Sequence, residues 1–133
     1  MSAKNSRIAQ AIAQAVKDFH GDLILFGLSG SISVSVAHEL GLKAANEVFA
    51  DRTYQDDGSL TPRTQMHSLI ENEKECLDQV MQMVNNGTVT TISGKIIPIV
   101  ADTICIHGDG KYAVAFAKKI HQALQQDIAA KSV

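Results

Sequence analysis

Apolar positions recur along this chain in alternating helical and strand-like blocks. Ile8, Ile12, Ala15, Val16 and Phe19 follow helical spacing from a start at Asn5 or Ser6, which predicts one amphipathic helix ending at His20-Gly21. Leu23-Ile24-Leu25-Phe26 is a continuous apolar run of strand length. Gly27-Leu28-Ser29-Gly30-Ser31 then turns into a second helix carrying Val34, Val36, Ala37 and Leu40 before Gly41. A second strand covers 43–49. A polar loop follows through Asp56-Asp57-Gly58 and Thr61-Pro62-Arg63, and then a third helix over 71–86, with Leu77, Val80, Met81 and Val84 on one face and Gly87 as its C-cap. Residues 89–92 and 95–100 are β-branched runs flanking Ser93-Gly94, a hairpin signature. A short apolar strand over 103–107 precedes a last helix over about 112–126, with Val114, Phe116, Ala117, Ile120 and Leu124 as core positions.

The order α-β-α-β-α, hairpin, β-α predicts an α/β fold with parallel strands covered by helices, plus one β-hairpin, in a single domain over 1–133. Three parallel strands cannot close a barrel, which usually needs about eight. They leave a sheet edge exposed unless another chain or further residues cover it, so self-association through that edge is expected of the chain alone. The pattern reads as the second half of something larger.

Composition narrows the function. The 133 residues are 45% hydrophobic and 20% charged, ordinary values for a globular domain with a real core. A net charge of −2 with interspersed signs offers no basic stripe for nucleic acid, and four Phe, two Tyr and no Trp supply no stacking platform for single strands. No apolar stretch approaches the roughly 20 residues of a membrane span. The N-terminus runs straight into an amphipathic pattern without a signal-peptide core, so a cytoplasmic location is expected. Cys76 and Cys105 share no motif spacing and read as reduced thiols rather than as a metal or redox pair.

The candidate chemistry lies where strands end. Ala101-Asp102-Thr103-Ile104-Cys105-Ile106-His107-Gly108-Asp109 is an apolar run that stops at an ionisable pair, and in parallel α/β folds the C-terminal strand ends face the ligand. Asp102 and His107 fall at opposite ends of that strand, so the closer couple is His107 with Asp109. Histidine there can transfer a proton, bind a metal, hydrogen-bond a substrate, or simply satisfy a backbone carbonyl. The 43–49 strand ends similarly at Asp51 and Arg52, with Glu47, Phe49 and Asp51 on one strand face. Carboxylates facing one way need a partner to offset desolvation, and Arg52 is the nearest cation in sequence. Residues 53–63, with Tyr54 and Arg63, form either a lid over a pocket or a solvated connection. Ser29, Gly30 and Ser31 lie between strand and helix, where they serve as a tight turn with a serine N-cap or offer amides to an anion. Lys95 at the hairpin tip can reach a phosphate or carboxylate, or act only as a solubilising charge. His20, His38, His67 and His121 read as surface residues, and no spacing here provides a full metal site.

Four stretches taken together resemble the LamB/YcsF family: Asn46-Glu47-Val48-Phe49-Ala50-Asp51-Arg52-Thr53-Tyr54, Asp57-Gly58-Ser59-Leu60-Thr61-Pro62-Arg63, Val89-Thr90-Thr91-Ile92-Ser93-Gly94-Lys95, and Asp102 through Asp109. The resemblance covers about Ile8 to Leu124 and concerns the family's C-terminal half. The family's opening strand, of the Asp-Leu-Asn-Cys-Asp-Leu-Gly-Glu type, and its histidine-bearing motifs have no counterpart here. The resemblance implies half of a (β/α) barrel of the polysaccharide-deacetylase-like kind. It also implies the activity of the family's ATP-dependent 5-oxoprolinase, whose A subunit works alongside subunits B and C to cleave 5-oxoproline to glutamate with ATP hydrolysis. Implied cofactors are ATP, with Mg, held by the complete complex, and a metal in the absent half is left open. Carried over by position, Asp51, Arg52, His107 and Asp109 are the catalytic candidates and Glu47, Tyr54, Arg63 and Lys95 the substrate-binding ones. Ser29, Gly30 and Ser31 remain the anion-binding candidates, and Asp102 is a further matching polar site. The alternative is a catalytically inactive remnant acting as an oligomerising or small-anion-binding module. A generic deacetylase, resting on fold analogy, needs a metal triad that these residues do not provide.

Overall fold

The computed structural model describes residues 2–108 and 112–131. It resolves into two compact units, Met1–Val48 with Ile99–Thr103, and Phe49–Pro98 with Ile104–Val133.

In the first unit α1 (Ser6–Phe19) starts at Asn5, whose side chain accepts the Ile8 N–H at 3.2 Å, an N-cap of the expected kind. It is followed by β1 (Ile24–Leu28), α2 (Ile32–Glu39) and β2 (Lys43–Phe49). The strand extends through Gly27 and Leu28, two residues past the apolar run that predicted it, because Gly27 packs under α2. A Cβ on Gly27 would lie 2.9 Å from Val34 Cγ2, so only glycine lets helix and strand approach this closely. β1 and β2 are parallel, with Ile24 opposite Lys43 and Leu28 opposite Glu47. The strand order is β1-β2-β5, where β5 (Thr103–Cys105) contributes Thr103 to this unit. The three strands expected to share a sheet therefore do so.

The core of this unit joins Ala9 and Ala13 of α1 to Leu25, Val36, Ala37 and Leu42, with Val16, Leu40 and Ala44 packed against them. The core face of α1 differs from the expected one. Two alanines form it, since small side chains allow α1 close against α2. Of the bulkier stripe expected to be buried, Val16 packs against this core, whereas Ile12 is 45% and Phe19 84% exposed. Period-two alternation puts Leu25 and Gly27 of β1 under the helices and leaves Ile24 and Phe26 on the other face, 51% and 54% exposed.

The second unit begins at the last residue of β2. Isolated antiparallel bridges join Arg52 to Leu69 and Tyr54 to Leu60, so residues 52–69 fold back on themselves. Tyr54 and Thr61 are fully buried, so at these positions the segment joins the unit's core rather than running as a purely solvated connection. Next comes α3 (Glu73–Asn86), capped by Asn72 accepting from Lys74 and Glu75 N–H and closed by Gly87 in the left-handed region at φ 62°. Its buried face is Cys76, Val80 and Met83, a rotation from the predicted face that leaves Val84 exposed. β3 (Thr88–Thr90) and β4 (Ile96–Pro98) form the expected hairpin, antiparallel with Val89 opposite Ile97. α4 (Ala113–Lys131) buries Phe116 and Ile120 while Val114 is exposed, and it meets α3 through a Lys119–Glu73 ion pair. No helix among the described residues is long and apolar enough to cross a membrane.

Candidate active site

Asp51 stands just past β2 and His107 two residues past β5, both in the second unit. The Asp51 carboxylate takes the His107 backbone N–H at 3.0 Å through Oδ2. His107 Nδ1 lies 2.9 Å from Oδ1 and 3.1 Å from Oδ2. The two side chains are 13% and 24% exposed. An ionised carboxylate only accepts, so Nδ1 carries the proton, and in the neutral ring Nε2 presents its lone pair. Phe49 stacks on the imidazole with centroids 5.8 Å apart and planes at 25°, fixing the ring from its face. The partner that the structure gives His107 is Asp51, a contact between residues 56 positions apart that the sequence did not announce. Asp109 lies outside the described residues.

Local bonds hold the Asp51 backbone in place. Ala50 N–H donates to the Cys105 carbonyl at 3.0 Å and Ile70 N–H to the Asp51 carbonyl at 2.9 Å. Gln79 of α3 aims Nε2 at the carbonyls of Phe49, Ala50 and Arg52, at 3.0, 3.2 and 3.0 Å. Sequence reasoning missed Gln79, although a polar residue beside Cys76, Val80 and Met83 on the buried helix face is a detectable signal. Cys76 sits in the same surroundings: burial, then the charges of Asp51 and Glu73, push its thiol up to about 11.

Arg52, expected to be catalytic, and Tyr54, expected to bind substrate, both lie in the interior of the second unit. Arg52 is buried, with Nε donating to the Ser68 carbonyl at 3.1 Å and Nη2 to the Thr61 carbonyl at 2.6 Å. Burial foremost, then Arg63, draws its pKa down against the opposing pull of Asp51 and Tyr54. Its fork ties the 52–69 segment together. Tyr54 is fully buried and its hydroxyl accepts the Phe49 N–H at 2.8 Å. Arg63 and Lys95 are exposed. Lys95 lies near Asp56, whose carboxylate accepts from Thr91 Oγ1 at 2.6 Å and Ser93 Oγ at 2.7 Å. Those two bonds hold Asp56 below the usual carboxylate range.

The remaining candidates belong to the first unit. Glu47 is partly buried in β2, and its carbonyl accepts the Ser29 N–H at 2.9 Å. Gly30 N–H donates to Asn46 Oδ1 at 3.2 Å and Ser31 N–H to the Leu28 carbonyl at 3.0 Å. The three amides expected to face an anion are thus spent within the chain, and Ser29 Oγ accepts the Val100 N–H at 3.1 Å. This turn is a strand-to-helix joint. Asp102 Oδ2 accepts both the backbone N–H and Nδ2 of Asn46, at 2.8 and 2.9 Å, and these bonds hold its carboxyl below the ordinary value. His20, His38, His67 and His121 are exposed, as expected.

The comparisons with known proteins agree with one another. The chain is 51% identical to the 5-oxoprolinase A subunit of Halalkalibacterium halodurans over 125 residues, which are 94% of this chain and 49% of that one. It is 49% identical to the Bordetella pertussis protein of the same name over 127 residues, 96% of this chain and 50% of that one. The chain spans about half the length of the curated relatives it matches. Among solved structures, the lactam utilization protein from Thermus thermophilus superposes with a TM-score of 0.84 at 33% identity, covering 95% of this chain and 50% of that one. The likeness supports an α/β fold with a parallel sheet and helices. A sequence profile of the LamB/YcsF family matches residues 1–132, and the chain belongs to that family.

Proposed function

We propose that this chain serves in the A subunit of a 5-oxoprolinase, where the Asp51–His107 pair provides the base that opens the lactam of 5-oxoproline to give glutamate. The observation that carries this reading is the identity of about half of all aligned positions with proteins of that name, over 94% and 96% of this chain.

In this reading His107 Nε2 takes a proton from water. The water oxygen bonds to the lactam carbonyl carbon, the ring C–N bond breaks, and the proton passes to the leaving nitrogen. Asp51 keeps Nδ1 protonated, orients the ring, and offsets the positive charge that the imidazole gains. Gln79 and Arg52 act at one remove, by holding the backbone that carries Asp51.

ATP, Mg and the partner subunits B and C belong to the same proposal. The Ser29, Gly30 and Ser31 amides are bonded within the chain, so this turn offers no free amide to a nucleotide phosphate. In this reading the nucleotide is held by the complete complex.

The test is glutamate release from 5-oxoproline and ATP by the complex reconstituted with this chain, the rest of the family fold and the partner subunits. Asp51→Asn and His107→Ala are each expected to lower turnover about 10²–10⁴-fold, the usual range for a lost general base. Unchanged turnover in both variants overturns the assignment.

A further inference from the structure

We propose that the outer stripe of α1 is a self-docking surface, on which a second copy of this chain packs its own α1 antiparallel about a two-fold axis. The inference concerns the first unit and is independent of the 5-oxoprolinase reading.

The stripe has the spacing of a helix seam. Ile8, Ile12, Ala15 and Phe19 recur at intervals of four, three and four along the 14 residues of α1, on a face distinct from that of the buried Ala9 and Ala13. Ile12 and Phe19 are exposed, and so is Ala15. Ile8, Ala11, Ile12 and Ala15 line a shallow groove, in which the alanines leave room for a bulky side chain from outside. When the stripe meets its own reverse, Ile12 faces the partner's Ala15, large against small, and Ile8 faces the partner's Phe19. Small residues near the crossing let two helices approach closely.

Charge selects the occupant and its direction. Arg7 and Asp18, both exposed, lie eleven positions apart, so they fall within about 20° of one line along a single flank of the stripe. Gln14 Nε2 donates to Asp18 Oδ1 at 2.7 Å and holds the carboxylate along that flank. Lys17, by contrast, is turned to its own chain, with Nζ donating to the Leu40 carbonyl at 2.8 Å. Arg7 stands in the first turn of α1 and Asp18 in the last, each at the helix end whose dipole disfavours its charge. Neither is placed to stabilise α1 through that dipole. In an antiparallel pair the same flank of both helices meets. Arg7 then lies by the partner's Asp18 at either end, and each charge gains the favourable pole of the facing helix. A parallel pair would set like charge at like height, so the two-fold arrangement is the complementary one.

Sedimentation equilibrium of the full chain over about 1 μM to 1 mM tests the proposal. One helix from each copy makes a small interface, so a reversible dimer of roughly micromolar affinity is expected. Ile12→Glu is expected to weaken it at least about tenfold, since it places a charge in an apolar contact. Arg7→Glu and Asp18→Arg are each expected to weaken it about three- to tenfold, and the two exchanges combined to restore it. Phe26→Lys, at an exposed position of β1, leaves it unchanged. Circular dichroism confirms that each variant folds, and Ala11→Glu on the same stripe replaces Ile12→Glu should that one not fold. A monomer throughout the range, a dimer indifferent to the stripe substitution, a dimer lost in folded Phe26→Lys, or a double exchange that fails to restore affinity overturns the proposal.

Discussion

Asp51 grips His107 at two points, its backbone N–H at 3.0 Å and its ring Nδ1 at 2.9 Å. One contact fixes where the residue begins and the other fixes its tautomer. Asp51→Asn keeps the volume and one acceptor but loses the charge. It is expected to destabilise the fold by about 1–3 kcal/mol, the range for a charge-assisted bond in a mostly buried site. A denaturant midpoint reads this directly. Nitrogen chemical shifts of the imidazole are expected to report an Nδ1-protonated ring in the wild type and a mixture of tautomers in the variant.

Gln79 is expected to matter more than its exposed neighbours on α3. Gln79→Leu leaves three carbonyls facing a methyl-rich side chain, at roughly 1–3 kcal/mol for the lost partners. Gln79→Glu places an anion against the same oxygens and is expected to be worse. Urea unfolding of the two variants beside Gln82→Leu, a neighbour bonded instead to Thr88 and Thr90, separates the positioning role from loss of helix content.

Arg52→Lys is expected to behave as a disruptive substitution. An ammonium cannot reproduce the guanidinium fork that serves the Thr61 and Ser68 carbonyls together, so a loss of about 1–3 kcal/mol is expected. Limited proteolysis within 53–68 is expected to quicken in step with that loss. An unchanged cleavage rate would show that the fork is not what holds the segment.

Cys76 is expected to be inert in the folded protein. With its thiol raised to about 11, roughly one molecule in a thousand carries the thiolate at pH 8, and burial blocks access as well. Alkylation followed by mass spectrometry is expected to find Cys105, which is only partly buried, modified first. Cys76 is expected to react only under denaturing conditions.

Acid stability is expected to depend in part on Asp102. Its folded-state pKa lies below the ordinary 3.8, chiefly through the Asn46 backbone and side-chain bonds. The carboxylate therefore contributes stability above the unfolded value, and that contribution disappears as pH falls through the folded one. Asp102→Asn is expected to flatten the pH dependence of unfolding below about pH 4 and to leave its alkaline limb unchanged. Urea titrations across that range decide it.

What the sequence revealed and what it concealed divide by range of interaction. α1 with its Asn5 cap, Gly87 closing α3, and the hairpin around Ser93-Gly94 are local events, written in residues a few positions apart. Asp51 and His107 were visible singly, because strand ends that stop at an ionisable group are local too. Their pairing was not, since a 56-residue separation leaves no periodic trace. The core face of α1 misled for a related reason. Helical spacing shows that an apolar stripe exists but not whether the two alanines or the isoleucines face α2, and close helix packing decides for the alanines. Tyr54 and Thr61 lay in a stretch that composition marks as a loop, and their burial follows from the Arg52 fork, which no pattern announces.

A strand edge that ends in solvent ties folding to mass action. A ligand that bound the outer side of β1 in the folded chain and not in the unfolded one would add to stability. Stability then grows as RT ln(1 + [L]/Kd), about 2.7 kcal/mol at a hundredfold excess over Kd. The melting temperature of this polypeptide becomes a property of the solution as much as of the residues. Two laboratories holding identical protein at different partner concentrations would report different values, and both would be right.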